Sequence, residues 1–137
     1  MKRITIRAAA FTLSAAVLYA SSCGASYSVG SSEDIVRILG ENGVEVRSEY
    51  TQKTVTIPEE FGEVYMNYNE LQQKQGFDLY DYRSHEAEVY TFDVIEAHGE
   101  RTAGAQAHVM VCEGRIIGGD ISTPAIDGGM LPLFGDR

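Results

Sequence analysis

Two aspartates and a histidine near the C-terminus, Asp120, Asp127 and His108, are the residue types that hydrolytic chemistry uses. Paired carboxylates act as acid, base or nucleophile on either side of a scissile bond, and their separation decides the mechanism. Asp127 precedes Gly128, a dipeptide that more simply marks a turn. Gly118-Gly119, just before Asp120, marks a bulge or a close backbone approach within a strand. A second candidate is Cys112 with His108, since a thiol nucleophile needs a base within hydrogen-bond reach. Four residues of strand at about 3.3 Å each hold that pair about 13 Å apart, so they form no dyad along one strand. Cys112 therefore reads as a small core residue. Asp78, Asp81, His85 and Glu86 offer loop ligands to a hard cation. Their spacing matches neither an EF-hand nor a zinc motif, and solvated loop acids explain them. Catalytic residues, metal and cofactor are accordingly left unassigned, with His108, Asp120 and Asp127 kept as a secondary polar site.

The tyrosines suggest a different use. Tyr65 and Tyr68 share a helical stripe, whereas Tyr80 and Tyr82 alternate on the polar link that follows, beside Asp78 and Asp81. Exposed tyrosines next to acids make contact surfaces, because they bury area at low entropy cost. Covering the edge of a sheet is the alternative role for the same rings.

The elements that must position these residues follow from hydrophobic period. Ser31 or Ser32 caps a first helix with Asp34 in its first turn and Ile35, Val36, Ile38 and Leu39 on one side, ending at Gly40 or Gly43. Val44 to Ile57 reads as a strand stopped by Pro58. Phe61, Val64, Tyr65, Tyr68, Leu71 and Gln75 recur at threes and fours, which predicts a second helix over 58–75 with the apolar ones on a single stripe. Gly76-Phe77 fits a left-handed C-cap. From residue 90 the period becomes two, and Glu113-Gly114 makes a tight turn between the last two strands of a three-stranded meander. The expected register sets Cys112, Met110 and His108 opposite Arg115, Ile117 and Gly119, with Tyr90, Phe92 and Val94 on their other side. That face is the expected seat of the second helix. The predicted class is α+β, two helices packed on a small antiparallel sheet in the order αβαβββ, over residues 33–137.

The N-terminus reads as an export leader. Lys2, Arg3 and Arg7 precede an apolar run of about 13 residues, too short for the roughly 20 of a membrane span. Ala20-Ser21-Ser22-Cys23 resembles a bacterial lipobox, which makes residues 1–22 a signal peptide, Cys23 the lipid-attachment site and 23–32 a serine-rich tether. Cleavage by an ordinary signal peptidase, with free secretion, and an uncleaved N-terminal anchor are the alternatives. A bridge between Cys23 and Cys112 is a further one. Removing residues 1–22, which carry three cations and no acid, takes the formal charge from −9 to −12. Such a field disfavours nucleic acid and other polyanions.

The stretch IPEEFGEVYMNYNELQQKQGFDLYDY, then VYTFDV, RIIGGDIST and AIDGGM, resembles the domain of unknown function 4830, a family of uncharacterised exported proteins of Gram-positive bacteria, over roughly residues 33 to 133. The resemblance implies a short lipoprotein or singly anchored protein and supplies no catalytic residues. The resulting expectation is a non-enzymatic accessory or peptide-binding module, lipid-anchored at the outer face of the cytoplasmic membrane, whose partner is an envelope protein or peptide that the sequence does not name. The rival expectation is a small hydrolase or metal-dependent enzyme using Asp120, Asp127 and His108.

Overall fold

Helix α1 (Ser32–Glu41) starts where a side chain replaces the missing backbone acceptors. Ser31 Oγ accepts from the Asp34 N–H at 3.4 Å, and the Asp34 carboxylate accepts from the Gly30 N–H at 2.7 Å. The helix runs through Gly40 and stops at Asn42, before Gly43 turns the chain at φ 89°. The computed structural model describes residues 26–124 and 129–135, so Cys23 and Asp127 lie outside the described residues.

Among the described residues six strands form one antiparallel sheet: β1 (Tyr27–Ser28), β2 (Val44–Thr56), β3 (Glu86–Ala97), β4 (Gln106–Cys112), β5 (Arg115–Ser122) and β6 (Met130–Leu131). Their order is β1-β5-β4-β3-β2, with β6 also on β5. The α+β class and the C-terminal meander are as expected, with two short strands added. β1 falls in the stretch read as a tether, where Tyr27 pairs with Ile116 and its ring stacks on Phe134 at 4.9 Å.

Helix α2 (Glu63–Lys74) is shorter than its sequence pattern predicts. Pro58 does not open it. Instead Ile57 exchanges backbone hydrogen bonds with His85 and Ser84, so residues 58–62 are drawn along the link rather than into a helical turn. Gly62 then occupies the N-cap without a side-chain bond. The C-terminus follows the pattern: Gly76 has φ 93°, and the N–H groups of Gly76 and Phe77 return to the carbonyls of Gln73 and Gln72, a Schellman closure. A 3-10 turn (Leu79–Tyr82) leads into β3.

Helix and link cover opposite sheet faces. Ile35, Ile38 and Leu39 of α1 pack with Val44, Phe92, Val109, Val111, Ile121, Leu133 and Phe134 on one side. On the other, Ile57, Leu79, Ala87, Val89, Met110, Cys112 and Ile117 pack beneath Phe61, Tyr65, Tyr68 and Tyr82.

The register differs from the expected one in both hairpins. Phe92 pairs with Ala107 and Tyr90 with Val109, an odd-numbered slip that sends Phe92 and Tyr90 to the α1 side and leaves Met110 and Cys112 under α2. The loop is not symmetric, because Ala97 and Glu100 close their own two-residue turn through His98 and Gly99, both at positive φ, and the surplus falls after it. Across the Glu113-Gly114 turn, Cys112 faces Arg115 as expected. A bulge at Ile117 then moves Met110 opposite Gly118 and His108 opposite Asp120.

Candidate functional site

That bulge creates a polar row under α2. His108 and Asp120, directly paired across β4 and β5, point to one face. His108 Nδ1 lies 3.0 Å from Thr91 Oγ1 on β3, and Nε2 lies 3.1 Å from Ser122 Oγ on β5. Either hydroxyl serves as donor or acceptor, so the ring is satisfied in either neutral tautomer. Asp120 is 3% exposed. Its Oδ1 accepts from the Tyr68 hydroxyl at 2.7 Å, while Oδ2 is buried without a hydrogen bond. Burial pushes the Asp120 carboxyl above the usual range, against the Tyr68 bond and the nearby His108, which both pull it down. The Tyr68 phenol is pushed far up by its own burial and by the Asp120 charge, so it remains a neutral donor. Cys112 sits in the apolar cluster, and burial raises its thiol, which keeps it protonated.

Tyr65 and Tyr68 of the expected stripe pack half-buried on the α2-side cluster, but the fully buried side chains of α2 are polar. Val64 is 82% exposed, and the residues that turn fully inward are Asn69 and Gln72, followed by Gln75 at the C-cap. The reason lies on the outer edge of β5, which β1 covers at Arg115 and Ile116 and β6 covers at Ile121 and Ser122. Between them Gln72 Oε1 accepts from the Gly119 N–H at 2.8 Å, and Gln75 Nε2 donates to the Gly119 carbonyl at 3.0 Å. Gln75 Oε1 accepts from the Phe134 N–H at 3.0 Å. Two glutamine side chains thus complete a ladder that no strand among the described residues completes there. Gly118 and Gly119 permit the approach: a Cβ on Gly118 would stand 2.9 Å from Gln72 Oε1, and one on Gly119 would overlap the His108 carbonyl.

Asn69 performs the same service for the link. Its Oδ1 accepts from the Leu79 N–H at 2.7 Å and its Nδ2 donates to Asp78 Oδ1 at 2.8 Å. Asp78 also accepts from the Tyr80 N–H, capping the 3-10 turn. These bonds, led by that from Asn69, hold its carboxyl below the usual range.

The candidate interaction residues divide. Tyr82 turns inward, half-buried against the α2-side cluster, with its ring edge-on to His85. Tyr80 stays 48% exposed, Asp81 is exposed, and Asp78 and Tyr80 line an open groove of about 710 Å³. Glu59, Glu60, Phe61, Met66, Glu70 and Arg83 line it too, with Asn69 and Gln73. Met66 is 56% exposed. Phe61 meets Tyr80 edge-on at 5.4 Å, and the Arg83 guanidinium lies over the Tyr80 ring at 3.8 Å. The groove does not reach His108 or Asp120. Among the described residues no three His, Cys, Asp or Glu side chains gather as metal ligands. No described helix is long and apolar enough to cross a membrane.

Sequence periodicity missed Gln72, Asn69, Thr91 and Ser122, because polar residues on a buried face carry no period. Phe61 went unseen as a groove wall because the chain from 58 to 62 read as helix.

The fold and its surface define a small three-layer α+β domain, with a helix on one face of the sheet and a helix plus aromatic link on the other. The chain belongs to the family described as Domain of unknown function (DUF4830), whose family model matches residues 38–121. Comparison with curated proteins and with solved structures finds no match.

Proposed function

We propose that the domain is a non-enzymatic docking module of the cell envelope, held through a lipid on Cys23 at the outer face of the cytoplasmic membrane. The observation that carries the docking reading is the groove, where Tyr80 and Met66 stay exposed beside Phe61 although the neighbouring Tyr82 and Leu79 are drawn into the core. Solvent-exposed aromatic and Met side chains in a concavity are typical anchors for a partner. The export leader and the lipobox-like Ala20-Ser21-Ser22-Cys23 support the location. The competing hydrolase reading has in its favour the pairing of His108 with Asp120. Against it, Asp120 is 3% exposed and committed to Tyr68, which leaves a substrate no approach to the carboxylate.

A photo-crosslinking amino acid tests the docking reading in intact cells. Placed at Met66 it yields a discrete adduct, and placed at Val64, exposed on the same helix but outside the groove walls, it does not. Equal labelling at both positions, or none at Met66, would overturn it. Location is tested separately: metabolic labelling with a tagged fatty acid marks the parent chain and not Cys23→Ser, and an unlabelled parent chain would exclude a lipid on that residue.

A further inference from the structure

We propose that the occupant of the groove is a basic peptide segment, whose Lys or Arg side chains lie between the carboxylates of Glu59, Glu60 and Glu70 and the aromatic corner of Phe61 and Tyr80. This rests on the docking reading above and specifies the partner's chemistry. Charge complementarity is the first argument. The ion pairs among the described residues join Arg37 to Asp34 and Glu41, and Arg101 to Glu96, all away from the groove. Glu59, Glu60 and Glu70 therefore line a concave surface with no cation paired to them, although Arg83 stands in the same wall. A cation entering there gains three carboxylates within one groove and meets a chain of formal charge −9 that draws it in.

The second argument is that the groove already holds a guanidinium in the geometry proposed. Arg83 makes no ion pair among the described residues. Its Nε donates to the Tyr80 carbonyl at 2.9 Å, and its guanidinium carbon lies 3.8 Å from the Tyr80 ring centre. Tyr80 is thus shown to accept an arginine on its face, with Phe61 edge-on to the same ring. Arg83 acts as an internal stand-in: it covers the aromatic face until an incoming side chain takes its place, and it opposes that side chain by like charge. The mixture of apolar wall and carboxylate suits a peptide, in which a methylene stem lies along Met66 and Phe61 while the charged head meets the acids.

The test uses the full chain in detergent micelles and a fluorescein-labelled tetra-arginine peptide, read by anisotropy at low ionic strength, with tetraglutamate as the negative probe. Glu59→Gln combined with Glu60→Gln weakens binding about three- to tenfold. Glu45→Gln combined with Glu49→Gln, the same charge change on exposed β2, weakens it less than about twofold. Tyr80→Leu weakens binding, and Arg83→Ala strengthens it by about two- to fivefold. Equal losses from the two glutamate pairs would reduce the effect to overall charge and overturn the site. Displacement of the peptide by an equal concentration of spermidine would assign the groove to a small polyamine instead. A Met66 adduct in cells without saturable tetra-arginine binding would leave a docking groove whose partner is not basic, whereas loss of both would remove the docking reading itself.

Discussion

Asp120 faces His108 because β5 carries one extra residue at Ile117. Without that bulge Gly119 would stand opposite His108, and Asp120 would point toward α1. The Gly118-Gly119 pair is the only sequence sign of it, and glycines announce a bulge without saying which residue is displaced. Convergence of His108 and Asp120 was therefore open to suspicion from residue types but not derivable from alternation. Burial raises the folded-state pKa of Asp120 above its unfolded value. Between those two values the native chain binds more protons, so this group's contribution to stability falls as pH rises through the window and is fully unfavourable above it. Asp120→Asn keeps the acceptor for Tyr68 and never ionises. It should raise stability at neutral pH relative to the parent chain, a gain that fades as acid protonates the parent's carboxyl. Denaturant unfolding from neutral to acid pH checks it, and a pH-independent difference would mean that ionisation is not the cause.

Helix α2 shows what an amphipathic pattern does and does not disclose. Its C-terminus was readable because Gly76 and Phe77 are local chemistry, closed by bonds to Gln72 and Gln73. Its rotation was not. The spacing puts Val64 on the stripe with Tyr65 and Tyr68, but the N–H and C=O of Gly119 are satisfied by Gln72 and Gln75, and with those inward the tyrosines are half-buried and Val64 is exposed. Leaving buried backbone groups unpaired costs more than exposing Val64 to water. The Gly119 amide should accordingly resist hydrogen exchange although, among the described residues, no strand pairs with it on the outer side of β5. Gln72→Leu, similar in volume but without the acceptor, should destabilise the fold by about 2 kcal/mol and speed exchange at Gly119. Exchange measured by NMR at that one amide separates this effect from general loosening, which would accelerate neighbouring β4 amides equally.

At the scale of the whole molecule, the class and the strand–helix succession were legible because they depend on period and punctuation, which each segment carries within itself. Register and the short strands β1 and β6 were not, since they depend on which distant groups need partners. The sheet ends differently on its two sides. One margin, at β5, is closed by two short strands and two glutamines; the other, β2, presents exposed residues 47–54 and carries no further strand among the described residues. Irregular pairing between Val46 and Tyr50, together with Lys53, breaks up that margin as a template for another chain. Lys53→Val should raise the fraction of associated species above that of the parent chain in sedimentation velocity, and an unchanged distribution would assign the protection to the bulge alone. β1 bears on the proposed attachment at Cys23 in another way. Only Gly24, Ala25 and Ser26 separate that cysteine from Tyr27, so the leash spans at most about 14 Å, close to the radius of gyration of about 13 Å for a domain near 100 residues. An anchored domain on so short a leash swivels about β1 at the bilayer surface and does not reach outward; partners must come down to it, and those already lying on the membrane meet it first.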